Sequence, residues 1–270
     1  MTARMTAVLP LLAMLTGVIS SAMAQDLYTS DAIVTGTGEK NRELGFRECL
    51  GEVLVKVSGD QRLLAAPAFT PLLERAGSFV ASFAYRDRLE GIPIHDEQGT
   101  HDRPHDLTCR YEPATIDRLL DALGSRPWPQ PRPRIAVLLA VHDQKRSFML
   151  TNDGGESPYM AESLAAATVP LALEARLPTR KTLALERLGP GVVSREGAVQ
   201  LERLAEKIGG DVALAGTMSW NNEALGWIAD WQLASAGKMH RWQIRGVSFD
   251  DAFRNAIRGA AQILSGNGAL

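Results

Sequence analysis

Three histidines share one polar stretch with acidic residues, a composition from which zinc sites are built. His95, His101 and His105 lie among four carboxylate residues between positions 95 and 106. Neutral imidazoles and carboxylates are ligands that zinc takes from proteins. The stretch is bracketed by Pro93 and Pro104, which predicts a loop, and a loop does not hold ligand angles rigidly. We therefore expect a solvated surface loop, with no bound metal and no other cofactor.

The two cysteines are the second set of residues whose chemistry could matter. Cys49 falls on the apolar face of a predicted helix, and Cys109 falls on the apolar face of a predicted strand. In an oxidising compartment they could form a bridge, and a closed loop of about 60 residues would stabilise the fold by roughly 4 kcal/mol in the chain-entropy model. Two buried thiols too far apart to meet are the alternative, and the sequence leaves both open.

The remaining motifs do not predict catalysis. Gly36-Thr37-Gly38 lies between a predicted strand and a predicted helix, where backbone N–H groups could meet a phosphate. A dinucleotide site needs a third glycine and a P-loop needs Gly-Lys-Ser/Thr, so a tight turn is favoured. The sequence also contains no Gly-x-Ser-x-Gly elbow. We expect no enzyme activity, and a hydrolase with a site assembled from distant residues is only the third hypothesis.

Four of the five tryptophans are concentrated on the last predicted strands. Stacked aromatic rings could form a sugar-binding platform or a surface for a partner protein. The one-sided alternation of Trp227, Trp231 and Trp242 instead predicts that most of them fill the core. Trp220 precedes two asparagines, so we expect it to be the exposed member of the set and a candidate contact surface.

The first 24 residues have the pattern of a cleavable secretion signal. Arg4 supplies the positive charge, residues 5–19 are mainly apolar, and Ala22-Met23-Ala24 is a small-x-small cleavage pattern. The apolar run is too short for a comfortable membrane span. We expect cleavage after Ala24 and a periplasmic location for the mature protein.

Composition and charge narrow the function classes. The chain has 270 residues, with 45% hydrophobic and 22% charged residues, as in an ordinary globular protein. The formal net charge of -2 gives no general attraction for nucleic acid. Beyond residue 24 the sequence has no apolar run of about 18 residues, so we expect no membrane span in the mature chain.

A proline-rich segment divides the sequence into two halves. Residues 127–134 hold four prolines in seven positions, which favours an extended, semi-rigid spacer. The predicted domains are a signal peptide at 1–24, an amino-terminal α/β module at 25–126, the linker at 127–134 and a carboxy-terminal α/β module at 135–270. We therefore predict an α/β (mixed α+β) protein of two small mixed-sheet modules with helices packed on their sheets.

Hydrophobic periodicity places the elements of each module. In the first half, the predicted elements are a strand at 27–35, a helix through 46–57 that ends at Gly59, a helix from 70, strands at 79–85 and 107–111, and a helix at 113–123. In the second half they are strands at 135–141, 169–173, 212–219, 225–233 and 242–244, and helices at 158–167, 199–208 and 249–264. Ser248, with Asp251 three residues later, is typical of a helix N-cap.

Several short segments carry a family resemblance. They are Gly36-Thr37-Gly38-Glu39, residues 53–60, residues 114–120 before Trp128 and Arg132-Pro133, the Gly210-Asp211 pair and residues 246–250. Together they resemble the domain-of-unknown-function 2066 (DUF2066) family of bacterial envelope proteins over nearly the whole mature chain. These motifs are structural, so the resemblance implies kinship and assigns no catalytic residues.

Residues 204–216 carry a second resemblance. Their helix-to-strand passage is similar to that of small modules in envelope-assembly proteins, such as the amino-terminal domain of the translocation protein TolB. Such modules mostly bind other proteins. The resemblance therefore implies a non-enzymatic interaction or scaffolding protein of the bacterial envelope, with envelope proteins as partners. The alternative hypothesis is a small-ligand or glycan binder with a cleft between the modules.

Overall fold

The computed structural model describes residues 27–92 and 102–268. Within these ranges the chain forms seven α-helices and nine β-strands, which are arranged in two sheets. Helices pack on both sheets, and this confirms the predicted α/β class. The expected secretion signal at 1–24 lies outside the described residues.

The first module is a three-stranded antiparallel sheet covered on one face by a long helix. Its strands run in the order β1-β3-β2. Ala32 and Val34 point at the helix because alternate residues of a strand share one face. The elements are β1 (Thr29–Thr35), α1 (Glu39–Ser58), α2 (Thr70–Leu73), β2 (Val80–Asp87), β3 (Pro104–Tyr111), α3 (Pro113–Ala122) and 3-10 turns at Gln61–Ala65 and Ala76–Phe79.

The second module is a six-stranded mixed sheet with helices on both faces. Its strands are β4 (Ile135–His142), β5 (Ser147–Met149), β6 (Ala175–Arg176), β7 (Val212–Asn221), β8 (Gly226–Ser235) and β9 (Lys238–Val247). Its helices are α4 (Pro158–Thr168), α5 (Arg180–Leu185), α6 (Ala198–Ile208) and α7 (Phe249–Leu264). The strand order is β5-β4-β7-β8-β9, and β6 pairs with β4. Strand β4 is buried along nearly its whole length because helices cover both sides of the sheet.

Two helix ends follow the sequence signals. Gly59 ends α1 in the left-handed conformation, with φ of 72°, and donates its N–H to the carbonyl of Val55. The Ser248 hydroxyl accepts a hydrogen bond of 3.1 Å from the backbone N–H of Asp251 at the start of α7. Both contacts satisfy backbone groups that a helix end would otherwise leave unpaired.

The strand predicted at 169–173 is wrong. Val169–Leu171 forms a 3-10 turn directly after α4, and the strand comes later, at Ala175–Arg176. Pro170 explains the difference, because proline has no N–H to donate to a strand ladder. Strand β5 and helix α5, which are short, had no counterpart in the predicted elements.

Cys49 of α1 and Cys109 of β3 are joined by a disulfide with their Cα atoms 6.3 Å apart. Both residues are fully buried in the core of the first module. The bond therefore ties the helix to the central strand of its sheet. Of the two alternatives that the sequence left open, the structure contains the bridge.

Replacing both Cys49 and Cys109 by serine should lower the free energy of unfolding by about 4 kcal/mol, because the 60-residue loop is no longer closed in the unfolded chain. Chemical denaturation of the oxidised protein and of the double variant measures the difference. Peptide mass spectrometry under non-reducing conditions provides the control. Recovery of two separate alkylated cysteines from the untreated protein would contradict the bridge.

Candidate functional site

Helix α1 ends against the linker and the second module, and this contact creates the candidate site. The last four carbonyls of any helix lack partners within the helix. Here the Val57 carbonyl accepts from the backbone N–H of Trp128, at 2.8 Å, and the Ser58 carbonyl accepts from the Asn267 side-chain amide, at 3.1 Å. The linker and the carboxy-terminal segment therefore complete the hydrogen bonding of a helix that belongs to the first module.

Arg132 of the proline-rich segment makes the densest part of this contact. Its guanidinium donates to the carbonyls of Lys56, at 2.6 Å, of Val57, at 3.2 Å, and of Leu171 in the second module. It also stacks on the Trp128 ring, 4.4 Å from the ring centre. Burial lowers the pKa of Arg132 to about 10, so the group stays charged at neutral pH. The predicted spacer is thus packed between the two modules.

A buried amide links the two modules a few residues further on. Gln262 of α7 is fully buried, accepts a hydrogen bond from the backbone N–H of Gln61, at 2.8 Å, and donates to Asp60, at 3.1 Å. Burial alone would raise the pKa of Asp60, but hydrogen bonds from Arg62 and Gln262 hold it below its usual range. Asp60 therefore stays ionised and keeps both donors in place.

A cleft of about 450 Å³ opens beside this contact, between α1 and the second module. Apolar side chains from both modules line it. The first module contributes Val55, Leu64, Phe69 and Leu73, and the second module contributes Ala167, Pro170 and Leu171. Exposed charged side chains also contribute to the lining: Arg47, Glu48, Arg254 and Arg258.

The spacing of residues on α1 explains why the cleft forms there. Gly51 and Val55 are four residues apart and therefore share the face of α1 that looks into the cleft. Because Gly51 has no side chain, Leu64 and Phe69 approach the helix closely: a Cβ atom at position 51 would lie 3.3 Å from Leu64 Cδ2 and 3.4 Å from Phe69 Cζ. The absence of a side chain at Gly51 therefore lets these two apolar residues pack against the helix at the floor of the cleft.

Glu52 is the half-buried carboxylate at one end of the cleft. It accepts a hydrogen bond from the Ser30 hydroxyl at 3.0 Å. Burial raises its pKa above 4.5, and the opposing effects of Ser30, Lys56 and Arg258 are smaller. Burial of the Tyr111 hydroxyl itself, together with the charge of Glu52, raises the pKa of Tyr111. This hydroxyl has no hydrogen-bond partner among the described residues.

Those residues singled out in the sequence that the structure describes do not line the cleft. His105 lies in β3, with Nδ1 2.8 Å from the Arg103 carbonyl, whereas His95 and His101 lie outside the described residues. The described part of the chain holds no cluster of three or more metal-ligating side chains. Trp220 is 37% exposed, and its Nε1 donates to Asn222.

The other tryptophans of the last strands pack inward. Trp227 and Trp231 are buried in the core of the second module, and Trp242 packs against that core. Trp220 meets Trp227 edge to face with ring centres 5.7 Å apart. None of these rings reaches the cleft between the modules.

The cleft residues were not predicted because their signal in the sequence is weak. Gly51 lies one helical turn after the charged residues Arg47 and Glu48, and Leu64 and Phe69 lie in a short irregular stretch without periodicity. A glycine inside a helix costs about 1 kcal/mol relative to alanine, so it usually has a packing or functional reason. That glycine was the one local sign of a close approach or an open space.

A family model matches the amino-terminal part of the chain. Residues 21–129 match a domain of unknown function, DUF8605. The matched residues contain the three-stranded sheet and helices α1, α2 and α3, and they end inside the proline-rich segment. No curated protein matches the chain.

This match corrects the resemblance drawn from short motifs. The assignment to the DUF2066 family is wrong, because the domain that matches is a different one. Helix ends, strand starts and proline turns recur in unrelated proteins, so such motifs do not separate one family from another. The match does not extend into the second half, and it gives no support to the TolB-like resemblance there.

Replacing Arg132 by methionine should destabilise the contact between the modules, because the carbonyls of Lys56 and Leu171 lose their donor while they remain partly buried. We expect a loss of about 3 kcal/mol in the free energy of unfolding. Arg134→Met is the matched control, since Arg134 makes an exposed ion pair with Asp211 and its removal should change stability little. Equal stability of the two variants in urea denaturation would contradict the role of Arg132.

Replacing Glu52 by glutamine should raise stability at neutral pH relative to the native chain. A carboxyl with a raised folded-state pKa holds its proton more tightly in the folded state, so stability falls as the pH rises from 4.5 through the folded-state value. The glutamine variant lacks this loss. Urea denaturation across a pH series measures it, and a stability difference that does not grow with pH over that window would contradict the desolvation of Glu52.

Proposed function

We propose that this protein is a non-catalytic binding protein whose inter-module cleft holds a small, largely apolar ligand. The observation that carries this proposal is the cleft of about 450 Å³, with apolar walls contributed by both modules. Sites for small molecules have such volumes, lie preferentially between domains and combine apolar walls with a few polar groups. The cleft has each of these properties.

The polar groups of the cleft suggest how a ligand would be oriented. The guanidinium groups of Arg47 and Arg258 lie on opposite modules, and Glu52 lies between two openings of the surface. Arg254 already pairs with Asp251 at 2.7 Å. A ligand with an apolar body and one polar end would place the body against Phe69 and leave the polar end at the charged border.

The composition of the cleft favours an apolar ligand over a glycan. Saccharide sites stack sugar rings on exposed aromatic faces. Among the described residues of the cleft lining, Phe69 is the single aromatic one, and the tryptophans that suggested a sugar platform lie in the second sheet. Of the two ligand classes in the alternative hypothesis, the small apolar ligand therefore has the better support.

We propose further that the protein works in an oxidising, extracytoplasmic compartment, with the periplasm as its expected location. The sequence pattern of residues 1–24 and the disulfide between Cys49 and Cys109 support this proposal, because disulfides persist where thiols are not kept reduced. Among the described helices, none is long and apolar enough to cross a bilayer.

Contact with another envelope protein is a second proposed role, and a separate observation favours it. Ile33 of β1 and Val169 after α4 are each more than half exposed, at 57% and 55%, although both lie beside the module contact. Exposed aliphatic side chains next to a groove are typical of protein interaction surfaces. This role does not depend on a ligand in the cleft.

Replacing Gly51 by leucine should block the cleft, because the new side chain would occupy the space in front of Leu64 and Phe69. Diphenylhexatriene, a neutral apolar dye, serves as the probe, and its fluorescence titration measures binding. We expect saturable binding to the native chain and at least a tenfold weaker affinity for the leucine variant. Helix propensity favours both alanine and leucine over glycine, whereas Leu64 and Phe69 must shift to admit a leucine side chain, so the folding of the variant is measured directly.

Gly51→Ala is the matched control for this experiment. Its single added methyl leaves most of the cleft open, so its affinity for the dye should stay within about threefold of the native value. Thermal unfolding of each variant confirms that it is folded. Unchanged dye binding by a folded Gly51→Leu variant, or no saturable binding by the native chain, would contradict the proposed site.

A further inference from the structure

A groove follows the open side of β1, the edge strand of the first sheet. It has a volume of about 450 Å³. One wall is the strand itself, from Thr29 to Ile33, and the opposite wall is Val169 and Pro170 of the second module. Glu52, which also borders the cleft, contributes to its lining. We call this feature the edge groove.

The register of β1 shows which backbone groups face the edge groove. The Tyr28 carbonyl accepts a hydrogen bond from the backbone N–H of Tyr111, and the Gly36 N–H donates to the Arg103 carbonyl. The even-numbered residues of β1 therefore direct their backbone hydrogen bonds to β3. In an antiparallel pair, the residues between two such pairs direct their N–H and C=O groups away from the partner strand. Asp31 and Ile33 therefore direct theirs toward the groove.

Two side-chain contacts support this assignment and mark the ends of the open stretch. Lys56 Nζ donates to the Thr29 carbonyl at 2.6 Å, and Asn41 Nδ2 donates to the Thr35 carbonyl. Both carbonyls belong to odd-numbered residues. Between them, the backbone groups of Asp31 and Ile33 have no second strand beside them within the described part of the chain. An open stretch of this length suits a short added strand.

The charges along the groove favour a basic partner. Asp31, Glu52 and Asp106 contribute carboxylates, whereas Lys56, the one lysine among the described lining residues, already donates to a carbonyl. Asp106 is paired with Arg86, at 2.6 Å. Asp31 accepts a hydrogen bond from Thr108 but forms no ion pair within the described residues. Lysine or arginine on the partner would complement this set.

The two faces of an added strand would meet different surroundings. On the face of the sheet away from α1, Asp31 lies on β1 next to the position of the new strand, and Asp106 lies one strand further in, opposite Ile33 on β3. On the face toward α1, the groove is bordered by Val169 and Pro170 beside the half-buried Glu52. Because side chains alternate along a strand, basic residues would occupy one face and apolar residues the other.

We propose that the edge groove binds an extended segment of a partner protein, which pairs with β1 as an additional strand and alternates basic with apolar residues. Main-chain hydrogen bonds to Asp31 and Ile33 provide affinity, and the alternating side chains provide specificity. The inference rests on the proposed role in contact with another envelope protein and names the chemistry of that partner.

The test uses defined peptides and the full disulfide-bonded chain. The probe is an acetylated and amidated heptapeptide in which lysine alternates with valine, and the control replaces each lysine by glutamate. We expect the lysine peptide to bind at least tenfold more tightly than the glutamate peptide in a fluorescence-polarisation titration. No binding of the lysine peptide at about 1 mM would overturn the proposal.

Two substitutions separate backbone pairing from side-chain contact. Ile33→Pro removes one N–H that faces the groove while leaving the bonds to β3 intact, a position where an edge strand tolerates proline. Ile33→Pro should lower the affinity for the lysine peptide at least tenfold. Ile33→Ala keeps the N–H, so its affinity for the lysine peptide should stay within about threefold of the native value. Equal binding by the native chain and a folded Ile33→Pro variant would overturn strand addition.

Two further measurements apply even where the proline variant does not fold. Amide hydrogen exchange of the native chain should slow at Asp31 and Ile33 when the lysine peptide is added, and protection confined to other segments would overturn the proposal. Asp31→Lys should reverse the preference between the two peptides.

If the dye fails to bind the cleft while the lysine peptide binds normally, the proposed apolar-ligand site alone is wrong. Failure of the dye to bind and failure of the peptide to bind are therefore distinguishable.

Discussion

The fold depends on how the carboxyl end of α1 obtains hydrogen-bond donors. Its last four carbonyls, from Val55 to Ser58, need donors from beyond the helix. Gly59 supplies one, and Trp128, Arg132 and Asn267 supply the others from the linker and the carboxy-terminal segment. Because an unpaired buried carbonyl is costly, the two modules are held in one arrangement. The first module alone cannot complete its longest helix.

This constraint places α1 at the centre of both proposed sites. One side of the helix packs on the first sheet and carries the disulfide through Cys49. A second side, with Gly51 and Val55, forms the floor of the cleft. A third side, with Glu52 and Lys56, borders the edge groove. With 3.6 residues per turn, neighbouring residues of one helix serve three different surfaces.

Hydrophobic periodicity predicted most helices and strands because burial of one face is a local property of the sequence. It failed where local signals conflict. The apolar residues at 169–173 were expected to form a strand, but Pro170 gives a turn that closes the cleft. The linker prolines predicted an extended spacer, yet the arginine between them binds carbonyls from both modules. Proline limits the local backbone, but it does not determine what the neighbouring side chains contact.

By itself, the sequence determined the α/β class, the long helix that ends at Gly59 and the N-cap at Ser248, since each follows from the chemistry of residues close together in the chain. Only the tertiary structure decided that Cys49 meets Cys109, that Arg132 joins the modules and that Gly51 faces an open cleft. These contacts join residues far apart in sequence. Their distances depend on how complete elements pack, which no local pattern encodes.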